Sequence, residues 1–191
     1  AFLRLSEGRA LVLPRMIPIG DIDEDELQIT DMGEGAGPDA GDIPPAIPDL
    51  RRRLLLAQEL RHRLGDGDHA LAVDQATELA GELARLLDQV QTERLDFSAL
   101  GNLVPDDYAR HWQQTLEFLQ VLTDMWPQRL ADDGVIDPAA RRNLLLATRT
   151  NAWKGNPPQD PVIAAGSTGS IPATADLLAV VADLPAGYVV L

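Results

Sequence analysis

One stretch narrows the possible folds more than any other: Pro161-Val-Ile-Ala-Ala-Gly-Ser-Thr-Gly-Ser-Ile-Pro-Ala-Thr-Ala-Asp-Leu-Leu-Ala-Val-Val-Ala-Asp-Leu-Pro-Ala-Gly-Tyr-Val-Val-Leu191. Val162 to Ala165 is a short apolar run, followed by the hydroxyl-rich loop Gly166 to Ser170. Pro172 sits where a first helical turn tolerates proline, because that N–H has no intrahelical partner. Leu177, Leu178, Val181 and Leu184 recur at helical spacing, and Tyr188 to Leu191 is a second apolar run. The pattern predicts strand, loop, helix, strand. Two strands joined through a helix are parallel, and such units hold nucleotides and phosphates at their loops. A phosphate-binding P-loop would need G-x-x-x-x-G-K-[ST]. Gly166 and Gly169 are too close together for it, and the only lysine, Lys154, lies upstream.

The loop is the candidate site: Gly166, Ser167, Thr168, Gly169 and Ser170 could contact a phosphate, including one of a DNA strand. Backbone N–H groups at a helix N-terminus attract anions, and small residues allow close approach. The other reading, a tight strand-to-helix turn that binds nothing, stays open. No catalytic residue is assigned.

Upstream, Ala10 to Leu13 reads as a buried strand ended by Pro14, and the chain continues extended to Gly20. Residues 21–48 are rich in Asp, Glu, Gly and Pro and read as an acidic flexible loop, with a short edge strand possible at Leu27 and Ile29. Residues 49–158 read as a helical insert. Asp49 is expected to cap a helix carrying Leu50, Leu54, Leu55, Ala57 and Leu60, which stops near Gly65. A longer helix is expected from Asp68 or His69, with Leu71, Ala72, Ala76, Leu79, Leu83, Leu86, Leu87 and Val90 on its apolar stripe and Gln75 as a polar break. A third starts at Pro105-Asp-Asp107 and buries Tyr108, Trp112, Leu116, Leu119 and Leu122, with a kink or restart at Trp126-Pro127 and an end at Asp133-Gly134. Asp137 and Pro138 open another, as cap and first residue, which runs with Leu144, Leu145 and Leu146 toward Trp153. The expected class is α/β: a small parallel sheet, formed by residues 1–20 and 159–191, interrupted by the helical insert and mostly helical by residue count.

The net charge of −14 opposes general DNA binding, which draws on Lys and Arg. Acid is concentrated at Asp21, Asp23, Glu24, Asp25, Glu26, Asp31, Glu34, Asp39 and Asp42. Bases cluster at Arg51, Arg52, Arg53, Arg61 and Arg63, then at Arg141, Arg142, Arg149 and Lys154; solvated helix faces or ion pairs account for them without DNA. There is no cysteine, which excludes disulfides and thiolate metal sites. No run approaches the ~18 apolar residues of a membrane span. The start, Ala1-Phe-Leu-Arg-Leu5, lacks the pattern of a secretory signal and an initiator methionine, and is expected to be an internal point of a longer protein.

Other constellations carry little. Asp21 to Glu26 lacks the glycine and glutamate spacing of a calcium loop. His62, His69 and His111 do not have zinc spacing, and no serine sits in a G-x-S-x-G elbow. Trp112, Trp126 and Trp153 fall among leucines and are expected in the core. No metal site is assigned.

Several longer runs carry a family likeness: Ala10 to Leu27, Pro45 to Leu56, Leu83 to Glu93, His111-Trp112, and above all Val162-Ile-Ala-Ala-Gly-Ser-Thr-Gly-Ser-Ile-Pro-Ala-Thr174. They resemble the AddB subunit of the bacterial AddAB helicase–nuclease, in its alphaproteobacterial form. The resemblance implies a part of that subunit's helicase-like N-terminal half, with Leu50 to Trp153 as the helical insert of its first lobe. It implies work in double-strand break repair by homologous recombination, with an AddA-like helicase subunit and DNA as partners. The family's nuclease domain and iron–sulfur cluster need motifs and cysteines that this chain lacks, so no catalytic residue or cofactor is carried over. Val162 to Ser170 falls where active helicases carry an acidic strand for magnesium, and here no Asp-Glu pair follows. The expectation is a non-catalytic, cytoplasmic, helicase-like segment for scaffolding and DNA-strand handling, with no membrane partner. The alternative is a helical protein-interaction module whose acidic loop binds basic partners.

Overall fold

The computed structural model describes residues 15–19, 43–64, 71–95 and 121–190. The expected strand at Ala10 to Leu13, most of the acidic stretch and the helix expected from Pro105 to Leu119 lie outside them. In chain order come α1 (Asp49–Leu64), α2 (Val73–Thr92), a π-helical turn (Val121–Met125) running into α3 (Trp126–Asp132), α4 (Pro138–Gly155), β1 (Val162–Ala165), α5 (Pro172–Asp183) and β2 (Gly187–Val190). The architecture is mostly helical with a two-stranded parallel sheet, the class expected from the sequence.

The main core lies between α1 and α2 and is closed by Leu122, Trp126 and Leu130. The buried side of α1 is the expected one in part: Ala57 and Leu60 lie in the core and Leu55 packs against it. Leu50 and Leu54 are exposed, whereas Arg52, Leu56 and Leu60, spaced by four, face inward. Asp49 is the first helical residue rather than the cap: the Pro48 carbonyl accepts the Arg52 N–H, and the Asp49 carboxylate pairs with Arg53. A carboxylate in a first turn still complements the helix dipole.

On α2 the buried positions are Ala76, Ala80, Leu83, Ala84 and Leu87. Three alanines let α1 come close, while Leu86, expected inside, is 38% exposed. The helix starts at Val73, later than expected, because Ala72 is extended (φ −63°, ψ 152°). Gln75 explains the polar break: it is the third helical residue, and its Oε1 accepts the Ala72 N–H at 3.4 Å. Each fully buried leucine here contributes roughly 2 kcal/mol.

Two helices end in the same way. After α3 the Gly134 N–H bonds the Ala131 carbonyl and the Val135 N–H bonds the Leu130 carbonyl, with Gly134 at φ +65°. After α2 the matching bonds run from Arg94 to Gln91 and from Leu95 to Val90, but the left-handed position holds Arg94 (φ +54°). Arg94 Nη1 reaches across to Asp176 Oδ2 of α5 at 2.6 Å. Left-handed backbone costs a non-glycine residue about 1–2 kcal/mol, whereas an exposed ion pair contributes about 0.2–1 kcal/mol. Arg94→Gly is therefore expected to leave stability unchanged or raise it by up to about 1 kcal/mol in urea unfolding. A loss above about 2 kcal/mol would show that the ion pair holds α5 in place.

The irregularity expected at Trp126-Pro127 takes the form of the π-helical turn. Pro127, in the first turn of α3, has no N–H to continue the helical ladder. Leu122 and Trp126 flank the junction and are both buried.

Asp137 has the backbone of an N-cap (φ −66°, ψ 147°) with Pro138 after it, as expected, but its side chain caps nothing. It is 1% exposed. Its Oδ2 accepts from Trp126 Nε1 at 3.0 Å and Gln91 Nε2 at 2.7 Å, and Arg52 Nε stands 2.8 Å from Oδ1. Arg52 Nη1 also donates to Asp88 Oδ1 at 2.8 Å. Asn143 ties α4 to the same place through the Gln91 carbonyl at 2.6 Å. One carboxylate thus connects α1, α2, α3 and the start of α4.

The expected loop 21–48 ends as packed chain. Ile47 is 1% exposed within the α1–α2 core. Its N–H bonds the Ile136 carbonyl at 2.9 Å, and the Ile136 N–H bonds the Pro45 carbonyl at 3.0 Å. Arg141 Nε donates to the Pro44 carbonyl at 3.0 Å. One buried isoleucine and these bonds offset the ordering of a short proline-rich segment.

A second cluster joins α4 to α5: Leu146, Ala173 and Leu177, with Trp153 and Ile19 against it. β1 and β2 pair in parallel with Ile163 opposite Tyr188 and Ala165 opposite Val190. β2 begins at Gly187, one residue before the expected start. α5 buries Leu177, Leu178, Val181 and, just past its end, Leu184, the four apolar positions expected of it.

Candidate functional site

β1, the loop Gly166–Ser170 and α5 form a continuous strand–loop–helix, so the five candidate residues are contiguous at the carboxyl end of β1. The first glycine closes the sheet: the Gly166 N–H donates to the Val190 carbonyl at 2.9 Å. That donor is spent on the ladder and is not offered to a ligand. Gly166 (φ +74°) and Gly169 (φ +65°) both need left-handed backbone. At Gly169 a Cβ would also stand 3.3 Å from Leu178 Cδ1. Gly169 is thus held by the backbone and by packing on α5. Thr168 and Ser170 are exposed, and Ser167 is half-buried.

α5 begins with Ile171 in extended conformation (φ −89°, ψ 126°) and no side-chain cap. The Ala175 N–H makes the first helical bond, to the Ile171 carbonyl at 2.9 Å. Pro172 has no N–H, which leaves Ala173 and Thr174 as the backbone donors of the first turn. No acidic residue lies in that turn.

Positive charge comes from the neighbouring helix rather than the loop. Trp153, near the end of α4, rests on the cluster containing Ala173 of the first turn of α5. The Arg149 guanidinium lies over the Trp153 ring, 5.3 Å from its centroid. Lys154 follows Trp153 and is exposed. The local chemistry is small, hydroxyl-bearing and without a carboxylate, with basic residues on the helix that packs beside it. It can offer hydrogen bonds to an anion.

The remaining candidates divide. Trp126 is core, as expected; Trp153 is partly buried; Trp112 lies outside the described residues, as do Asp21 to Glu26, His69 and His111. Among the described residues no group of His, Asp and Glu could hold a metal ion. Among them too, no helix is long and apolar enough to cross a membrane. Arg52 takes the second of the two forms its sequence reading allows, an ion pair, with Asp88 and Asp137, but the pair lies in the interior: Arg52 is 2% exposed. Its spacing of four to Leu56 and eight to Leu60 is the signal that points inward.

Comparison with family models, curated proteins and solved structures yields no match.

Proposed function

We propose that the chain is a non-catalytic, helicase-like part of an ATP-dependent helicase–nuclease subunit, acting in double-strand break repair by homologous recombination in the cytoplasm. Its role is scaffolding of an AddA-like helicase partner and handling of a DNA strand. The observation that carries the reading is the parallel β1–loop–α5–β2 unit, whose Gly-Ser-Thr-Gly-Ser loop opens at the carboxyl end of β1, where open sheets of this kind receive phosphate ligands. The likeness of Val162 to Thr174 to AddB supports the same reading.

The loop acts on phosphate through hydroxyl and backbone donors. Without a Walker lysine or an acidic pair after β1, it does not turn over ATP, and no nuclease motif is present. The purified chain is expected to show neither ATP hydrolysis nor magnesium-dependent nicking.

The direct test places one negative charge on the loop without touching its glycines. Ser170→Glu and Thr168→Glu change exposed positions and should fold as the parent does. In the complex with an AddA-like helicase, either variant should weaken DNA binding by about 1–2 kcal/mol, roughly 5–30-fold. Gly169→Glu is the poorer choice, because positive φ and the Leu178 contact would disturb the fold itself. Unchanged affinity and salt dependence in an assembled complex would reduce the loop to a turn. Failure to copurify with an AddA-like helicase would favour the alternative, a helical protein-interaction module with an acidic partner-binding stretch.

A further inference from the structure

Among the described residues, the buried side-chain atoms without a hydrogen bond all belong to one cluster: Arg52 Nε, Arg52 Nη2, Gln91 Oε1 and Asp137 Oδ1. Two are donors and two are acceptors. Nε and Nη2 share one edge of the guanidinium, so their N–H bonds leave it side by side. Nε stands 2.8 Å from Asp137 Oδ1, near enough for an ion pair but out of line for a hydrogen bond. The other donor atoms of the cluster each have a partner: Arg52 Nη1 donates to Asp88 at 2.8 Å, Gln91 Nε2 to Asp137 Oδ2 at 2.7 Å and Trp126 Nε1 to the same oxygen at 3.0 Å. Turning the Gln91 amide over would set its oxygen against a carboxylate oxygen, so its orientation is fixed by chemistry.

We infer that one ordered water molecule completes the cluster, accepting from Nε and Nη2 of Arg52 and donating to Gln91 Oε1 and Asp137 Oδ1. A water offers two lone pairs and two hydrogens, enough for one N–H from each of the two donor nitrogens and for the two acceptor oxygens. Buried waters serve such groups, typically through about three hydrogen bonds each. A chloride ion has no hydrogen for the two acceptors, and a cation is repelled by the guanidinium edge. The water is a structural ligand, bridging α1 to α2 and to the residue that precedes α4.

A high-resolution crystal structure of the full chain, together with water magnetic relaxation dispersion in solution, tests this. Density should lie within about 2.6–3.2 Å of all four atoms. Dispersion should report a long-lived water, and Gln91→Met, which keeps length but removes the acceptor, should lose one such water. A direct bond from Arg52 Nη2 to Gln91 Oε1 in the crystal, or no density between them, would overturn the inference. An unchanged dispersion amplitude in a folded Gln91→Met variant would do so as well. Should that variant not fold, the crystal structure of the parent decides alone.

Discussion

Asp137→Ala is expected to lower the unfolding free energy by about 3–5 kcal/mol, the range for breaking a buried ion pair by removing one partner. The carboxylate is 1% exposed, accepts hydrogen bonds from two elements and pairs with the Arg52 guanidinium of a third. Without it, the Arg52 side chain, 2% exposed, keeps among the described residues only Asp88, whose side chain is 44% exposed. The Trp126 indole N–H and the Gln91 amide also lose their acceptor, which sets the expected loss toward the upper end of that range. Asp137→Asn should cost less, since one amide oxygen still accepts. Replacing both charges, as in Arg52→Met with Asp137→Leu, should cost clearly less than the two single changes summed, because neither charge is then stranded. Urea unfolding followed by circular dichroism measures all of these. A change below about 1 kcal/mol for Asp137→Ala would mean that water reaches the cluster freely.

Gly187→Ala should damage the other half of the molecule. A Cβ on Gly187 would run into the Val181 carbonyl oxygen and come within 2.9 Å of Leu184 Cβ. Backbone cannot yield as a side chain end can, so α5 or β2 must shift. The expected loss is about 2–4 kcal/mol, the upper range for overpacking. It should appear as faster amide exchange in β2 and α5, while α1 and α2 stay protected. Gly81→Ala is the matched control. Gly81 lies inside α2 with nothing within 4 Å of where a Cβ would stand, so alanine should stabilise by about 0.5–1 kcal/mol. Equal effects of the two changes would show that steric crowding at Gly187 is not what demands glycine there.

The open face of the sheet bears on the functional proposal. Ile163, Tyr188 and Val190 are 65%, 59% and 55% exposed on one side, while α5 packs against the sheet. Parallel sheets are ordinarily covered on both faces, and two strands are few for independent stability. Among the described residues no second element covers that face, and the proposed role as part of a helicase-like lobe would place further structure against it.

Local chemistry was enough to place the β1–loop–α5–β2 unit. Its apolar runs have one possible period each, Pro172 and the glycines punctuate them, and each element meets its sequence neighbour, so little depends on distant residues. The candidate loop was legible for the same reason, although the commitment of the Gly166 N–H to β2 was not, because that bond is made only when the strands pair. Among the described helices, sequence locates the elements and most of their inward positions, Leu60, Leu83 and Leu87 among them, but not the limits of each buried face. Leucines at 50 and 54 suggested one face of α1, and the small residues Ala80 and Ala84 gave no hydrophobic signal on α2. The choice between faces was made by what stood opposite: α2 could approach α1 most closely along its alanines, and Asp137 could accept Arg52 into the interior. Asp137 itself illustrates the division. As Asp before Pro it announced a helix start from sequence alone, and it is one; that its carboxylate would turn inward followed from Gln91 and Trp126 arriving from elsewhere in the chain, because a buried donor must find an acceptor wherever the fold provides one.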